Sequence, residues 1–273
     1  MPSFEHDGIQ FHYDAIGRGT PFILQHGLGG DINQPLGLFH PPQGYRIYAF
    51  DCRAHGQTQP IGNPERISFA TFVNDLCTFQ DHLHIQRCIV GGISMGAGLA
   101  LGLALRLPER VSGLVLSRPA WLNLPAPSNL APYAKVVSLI REYGAVQGLA
   151  CFVETEIYQD IARESPDAAQ SLMGQFQNPR AEEAVVRLER IPQDSPMSGD
   201  LDELRYIAVP TLVLGTRQDP VHPYTYALQL ARAIPCALLH ELTPKSVNKE
   251  QHAADFQQAV GAFLCTHSLH SNS

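Results

Sequence analysis

Short apolar runs alternate with longer helical patterns along most of this chain, and that rhythm leaves few folds open. Residues 21–25, 45–50, 88–91, 111–116, 209–215 and 237–242 each read as a short strand, most of them apolar throughout. Helical patterns fill the stretches 68–83, 97–107 and 224–233 and a final segment through Phe256, Val260 and Phe263. Strands without polar alternation are buried on both faces, so the expectation is an α/β protein whose mostly parallel sheet carries helices on both sides. Residues 4–6 and 9–13 flank Asp7-Gly8, a good two-residue hairpin turn that adds an antiparallel pair at one edge. Between residues 118 and 206 the strand signal stops, and helical stretches at 133–143, 145–157 and 181–191 are broken by proline-rich loops. That middle region is an insertion between two strands, packed as a helical cap over one sheet edge. In such sheets ligands sit at the carboxyl ends of the strands.

The run 88–91 breaks at Gly92-Ile93-Ser94-Met95-Gly96 and opens an Ala/Leu-rich helix. A serine hydroxyl is a weak nucleophile, so one that reacts must project from a tight strand-to-helix turn toward a base. Neighbouring side chains would clash in that turn, which is why glycine stands two residues to either side. The following helix aims its first amides at the site and favours developing negative charge. A second glycine-rich loop, His26-Gly27-Leu28-Gly29-Gly30, follows the strand at 21–25, and Asp51-Cys52-Arg53-Ala54-His55-Gly56 follows the strand at 45–50. A third loop, 216–223, carries Asp219-Pro220-Val221-His222 beyond the strand at 209–215.

Together these motifs resemble the α/β-hydrolase superfamily, in its esterase, enol-lactonase and C–C hydrolase branch; the likeness covers residues 1–118 and 207–264. It implies an eight-stranded sheet, a core domain of residues 1–117 and 207–264 and a helical cap at 118–206; the polar tail at 265–273 reads as frayed. It also implies a Ser-acid-His triad in that chain order, a backbone oxyanion hole and no cofactor. Carried onto this chain, the nucleophile is Ser94, the acid Asp219, and the oxyanion donors the N–H groups of Leu28 and Met95. The 51–56 loop departs from the family's D-x-R-G-x-G at Ala54. It reads as scaffold, with Asp51 and Arg53 holding neighbouring loops by charge-assisted hydrogen bonds. His26 reads as structural and His55 as an improbable base. The family's histidine lies about ten residues before the aromatic of the final helix. Counting back from Phe256 reaches Ser246, which cannot serve as a base. The assignment therefore falls on His252, the histidine between the last strand and the end of the core, with His222 as the alternative. His222 is set aside because it follows Asp219 too closely to be oriented by it easily.

Trp121, at the entrance to the cap, and Phe152, Met173 and Phe176 within it are candidates for the substrate pocket, against an equally good reading as cap packing. His82 and His84 lack the neighbours of a metal site, and no metal is expected. With 44% hydrophobic and 16% charged residues the chain is neither a disordered tail nor a coiled coil. Its net charge of -7 and lack of a basic run argue against nucleic acid and anionic membranes as partners. No apolar run reads as a membrane span, and the amino end lacks a signal-peptide pattern. The six cysteines form no C-x-x-C pair and read as reduced, mostly buried residues of a cytoplasmic protein, monomer or homodimer. The expected activity is that of a serine hydrolase cleaving a small or medium carboxylic ester, lactone or thioester through an acyl-enzyme. C–C bond hydrolysis, acyl transfer and perhydrolysis remain open on the same residues, as does a ligand-binding receptor of this fold with little turnover.

Overall fold

The amino-terminal hairpin forms as its turn residues dictate. Asp7 and Gly8 both take left-handed φ, 57° and 70°, which matches the twist of flanking antiparallel strands. They join β1 (Ser3–His6) to β2 (Ile9–Gly17), with His6 opposite Ile9. The structure is a computed structural model that describes residues 2–197 and 199–267. Strand β3 (Gly19–Gln25), helix α1 (Asn33–Leu38), strand β4 (Gly44–Phe50) and helix α2 (Phe69–His82) follow. Ser68 caps α2 by accepting from the Thr71 amide, satisfying one of the orphan donors of the first turn. Next come β5 (Cys88–Ile93), α3 (Met95–Arg106) and β6 (Val111–Ser117).

The eight strands run in the order β1-β2-β4-β3-β5-β6-β7-β8, with β7 at Thr211–Thr216 and β8 at Ala237–Leu242. The pairings of β2 with β1 and with β4 are antiparallel and the other five among the described strands are parallel. Helix α3 is buried from Met95 through Ala104, as its lack of charge before Arg106 requires. Helix α9 (Lys249–Thr266) covers the other face with Phe256, Val260, Phe263 and Leu264. It includes Cys265 and Thr266 and is capped by His267, where the sequence suggested fraying; residues 268–273 of that expected tail lie outside the described residues.

Strands β6 and β7 pair directly, with Leu114 opposite Thr211, so the chain between them leaves and re-enters the sheet at neighbouring strands. That segment holds α4 (Ala131–Val153), α5 (Glu156–Glu164), α6 (Pro166–Gln177) and the short α7 (Val186–Arg190). Gly144 interrupts α4 with φ 74° and ψ 174°. The expected pair of helices is thus present, but the second stops at Val153, because Thr155 caps α5 instead. Helix α6 lies where the sequence reading placed none; Ser165 caps it and Pro166 opens it. Residues 128–153 are long and apolar enough to cross a membrane, contrary to the sequence reading. Tyr133, Val136, Leu139, Ile140 and Phe152 on that stretch are buried against protein.

Hydrogen bonds tie the inserted helices to loops at the carboxyl end of the sheet. Arg187 Nη1 donates to the Ala54 carbonyl at 2.6 Å, Arg180 Nη1 to that of Thr58 at 2.8 Å, and the Phe69 amide to Asp194 at 2.7 Å. The cysteines depart from expectation: Cys52 and Cys88 are buried, Cys77 and Cys151 half-buried, and Cys236 and Cys265 exposed. Helix α8 (Tyr224–Ala233) links β7 to β8 at the bounds the sequence suggested.

Candidate active site

Ser94 sits between β5 and α3 at φ 56°, ψ -110°, a strained conformation for a residue with a side chain. The flanking glycines allow it. A Cβ on Gly92 would strike the Gly96 backbone, and one on Gly96 would come within 2.8 Å of the His26 carbonyl oxygen and closer still to that of Gln25. The elbow therefore fits only because two side chains are missing. The Ser94 amide donates to the Ser117 carbonyl at 2.9 Å, which fixes the turn on the end of β6.

The imidazole that meets this serine is that of His222. Its Nε2 is 2.9 Å from Ser94 Oγ, and its Nδ1 is 2.9 and 3.0 Å from the two oxygens of Asp219. A carboxylate only accepts, so Nδ1 carries the proton and Nε2 offers its lone pair to the Ser94 hydroxyl. Only two residues separate Asp219 from His222, a spacing that reads as too short for the acid to orient the ring. The turn resolves this. Gln218 takes φ 55°, and Asp219 Oδ1 accepts from the amides of Val221 and His222 at 3.2 and 3.1 Å. The chain folds back over the carboxylate, as in an Asx turn, and delivers the ring onto it. Asp219 thus caps the turn and orients the histidine at once.

His252 is not part of this cluster, so the assignment of the base to it is corrected. It lies in the first turn of α9, where its Nδ1 donates to the Thr243 carbonyl at 2.8 Å. It is 2% exposed, and burial pushes its imidazole down to about 4. The helix starts at Lys249, so no loop is left to carry that ring to Ser94.

Ser94 and His222 are each 8% exposed. Burial pushes the His222 imidazole below its ordinary value, and the Asp219 charge beside it only partly restores it. Burial also pushes the Asp219 carboxyl up, but its electrostatic and hydrogen-bond interaction with the His222 ring and the Arg118 charge outweigh that and hold it well below the carboxylate range. Arg118, directly after β6, places its Nε 3.7 Å from Asp219. The result is an ionised acid beneath a neutral base, the combination that lets a hydroxyl give up its proton.

Around the hydroxyl, the 26–30 loop uses the Gly27 amide on Gln34 Oε1 (2.7 Å) and the Gly30 amide on the Gly27 carbonyl (3.0 Å). The Leu28 amide stays outside that pattern. Met95 opens α3, where the first amides have no intrahelical acceptor. His26 is structural: its Nδ1 donates to the Gly27 carbonyl at 2.8 Å and its Nε2 accepts from the Cys52 amide at 3.0 Å. His55 donates from Nδ1 to the Arg53 carbonyl at 2.8 Å, and burial pushes its imidazole well down. Asp51 accepts from His12, Ile32 and Gln57, and Arg53 grips Asp75 through two bonds of 2.7 Å while reaching Asp7. Both hold loops together.

The four pocket candidates pack elsewhere. Phe152 and Phe176 sit 5.2 Å apart, Tyr158 stacks edge-on against Phe152, and Tyr158 donates to Met173 Sδ. They form the core of the inserted helices, because α4, α5 and α6 must bury their apolar faces against one another. Trp121 packs edge-on against Phe69. The spaces at and beside the triad are lined differently. One, of only about 10 Å³, lies among Tyr133, Asp167, Leu172, Asp219 and His222. Another, of about 240 Å³, lies among Gln34, Ile93, Ser117, Arg118, Lys245 and His252. Arg118 and Lys245 escaped the sequence reading, since a single cation after a strand carries no pattern.

A model of the alpha/beta hydrolase fold matches residues 20–148. A 2-hydroxymuconate semialdehyde hydrolase of Pseudomonas putida is 28% identical over 97% of this chain and 94% of its own length. A proline iminopeptidase of Neisseria gonorrhoeae is 29% identical over 84% of each. Among solved structures, an enol-lactonase from Burkholderia xenovorans superposes with a TM-score of 0.73 at 23% identity, covering 97% of this chain and all of the other.

Proposed function

From a chain that belongs to the α/β-hydrolase superfamily and is a hydrolase, we propose a serine hydrolase acting on a small carboxylic ester, lactone or thioester, with Ser94, His222 and Asp219 as its triad. The observation that carries this reading is the continuous line from the Ser94 hydroxyl through His222 to Asp219, at 2.9 Å on each side of the ring. Ser94 Oγ attacks the carbonyl carbon while its proton passes to His222 Nε2. The carbonyl oxygen gains the negative charge and meets the Leu28 and Met95 amides. His222 then gives the proton to the leaving oxygen or sulfur, and the C–O or C–S bond breaks. Water repeats the sequence on the acyl-enzyme, with His222 again as base. Asp219 keeps the ring in one tautomer and offsets the imidazolium charge without taking the proton.

C–C bond hydrolysis is the second reading, favoured by the near full-length likeness to the 2-hydroxymuconate semialdehyde hydrolase. The same residues would serve it, with carbon as the leaving atom. The receptor reading loses its motive, because a histidine does meet the serine. A fluorophosphonate probe tests the central claim. It should label the wild-type chain at Ser94 and leave Ser94→Ala unlabelled, with p-nitrophenyl acetate hydrolysis lost in parallel. A folded wild-type protein that neither labels nor turns over would overturn it.

A further inference from the structure

We propose that the cleft of about 240 Å³ between the α1 segment and the β8–α9 loop is an anionic subsite, which takes a carboxylate carried by the substrate. The inference rests on the hydrolase reading for its link to turnover and on the cleft alone for the charge of its ligand.

The cleft adjoins the nucleophile. Ile93, the residue before Ser94, lines it, and so does Ser117, whose carbonyl accepts from the Ser94 amide. Its rim is exposed at Gln34 and Gly37, whereas Ser117 and His252 are buried. A ligand can therefore enter from solvent and extend toward the hydroxyl.

The chemistry of the walls is cationic. Arg118 holds φ 47°, and its side chain is 10% exposed. Its Nε is buried without a hydrogen-bond partner among the described residues. At 3.7 Å the Asp219 carboxylate attracts that guanidinium but does not bond it, and Asp219 already serves His222 and two amides. Lys245, half-buried, lies 4.0 Å from Asp167, while Lys249 sits closer to the same carboxylate at 3.3 Å. Arg118 and Lys245 both line the cleft and no carboxylate among the described residues does, so a positive wall faces a space wide enough for a carboxyl group. Burial and the Arg118 charge press the Lys245 ammonium down to about 8, a cost that a bound anion would relieve. His252 uses Nδ1–H on Thr243, which leaves Nε2 as an acceptor for water or a donor group of the ligand. A carboxylate between Arg118 and Lys245 would meet two charge-assisted donors, and the guanidinium suits its planar geometry.

The test pairs turnover with binding. The p-nitrophenyl hemiester of glutaric acid is compared with the neutral pentanoate ester of similar length. The wild-type chain should prefer the anionic ester by about tenfold or more in kcat/KM, the scale of one hydrogen bond to a charged group. Lys245→Gln should erase most of that ratio through KM. In parallel, monomethyl glutarate should raise the wild-type melting temperature, and Lys245→Gln should lose the shift. No ester preference, or a ratio untouched by Lys245→Gln, overturns the proposal. If acetate shifts the melt and inhibits but the ester pair shows no preference, the cleft takes a free anion and the substrate assignment is wrong. Carboxylate binding sensitive to Lys245→Gln without hydrolysis of either ester would leave the subsite standing and sink the hydrolase reading instead.

Discussion

The sharpest prediction separates two histidines. His222→Ala removes the ring that meets Ser94 at 2.9 Å; His252→Ala removes one that bonds the Thr243 carbonyl instead. A positioned general base contributes about 10²–10⁴ in rate. Ser94 is 8% exposed, so bulk water substitutes poorly for the lost base, and the upper half of that range applies. We expect kcat for p-nitrophenyl acetate to fall about 10³–10⁴-fold in His222→Ala, or about 4–5.5 kcal/mol. His252→Ala should instead lose about 1–3 kcal/mol of stability, through a half-buried carbonyl left without its donor, while kcat stays within about tenfold. Initial rates at saturating ester, read beside thermal melts by circular dichroism, check both. Free imidazole should restore part of the His222→Ala rate and do nothing for His252→Ala. A folded His252→Ala protein without activity, beside a His222→Ala protein that keeps its rate, would refute His222 as the base.

Further outcomes follow from the same geometry. Asp219→Asn keeps an oxygen for the Val221 and His222 amides but loses the acceptor that fixes the tautomer, so kcat should drop about 10⁴-fold with the turn intact; a loss under tenfold would reduce Asp219 to a turn cap. Because His222 must be neutral and its folded value lies below the ordinary 6.5, kcat/KM should be flat above neutrality and fall only on the acid side of that value; an inflection above 7 would contradict this. His252 has its folded value lowered to about 4. Its contribution to stability is therefore complete above the unfolded value and is lost as pH falls from about 6.5 toward 4. That window amounts to about 3 kcal/mol, and denaturant titrations should show a flatter acid limb in His252→Asn. Gly96→Ala would drive a methyl group into the Gln25 and His26 carbonyls, which cannot retreat without moving β3, so we expect a loss of about 3 kcal/mol or more. Arg53→Leu strands the buried Asp75 and should cost about 3–5 kcal/mol; an unchanged melt would show that Asp75 is protonated.

The layered α/β architecture was legible from residue order alone. Strand positions, the helix caps at Ser68 and the break before Pro108 rest on local rules: apolar runs that must be covered, side chains that satisfy first-turn amides, a ring that cannot continue a helix. The elbow was legible for the same reason, since Gly92 and Gly96 are dictated by contacts within a few residues and with one neighbouring strand. The inserted helices were read less well: Thr155 and Ser165-Pro166 do mark the starts of α5 and α6, but such residues are as common in loops as at helix caps and single out no helix by themselves. Their boundaries depend on which faces they bury against one another and on the loops they cover.

The histidine lay beyond any local rule. His222 and His252 are both plausible from spacing, and spacing favoured the wrong one. What decided between them was a reversal of the chain at Asp219, which needs a left-handed Gln218 and two amides turned onto one carboxylate oxygen. Likewise, Arg118 and Lys245 lie 127 residues apart in the chain and share a wall only because β6 and the β8–α9 loop end on the same side of the sheet. Chain order fixes which residues can make a strand, a turn or an elbow. Which side chains face one another across the sheet's carboxyl end, and which charges stay unbalanced there, depends on distances that only the packed molecule possesses.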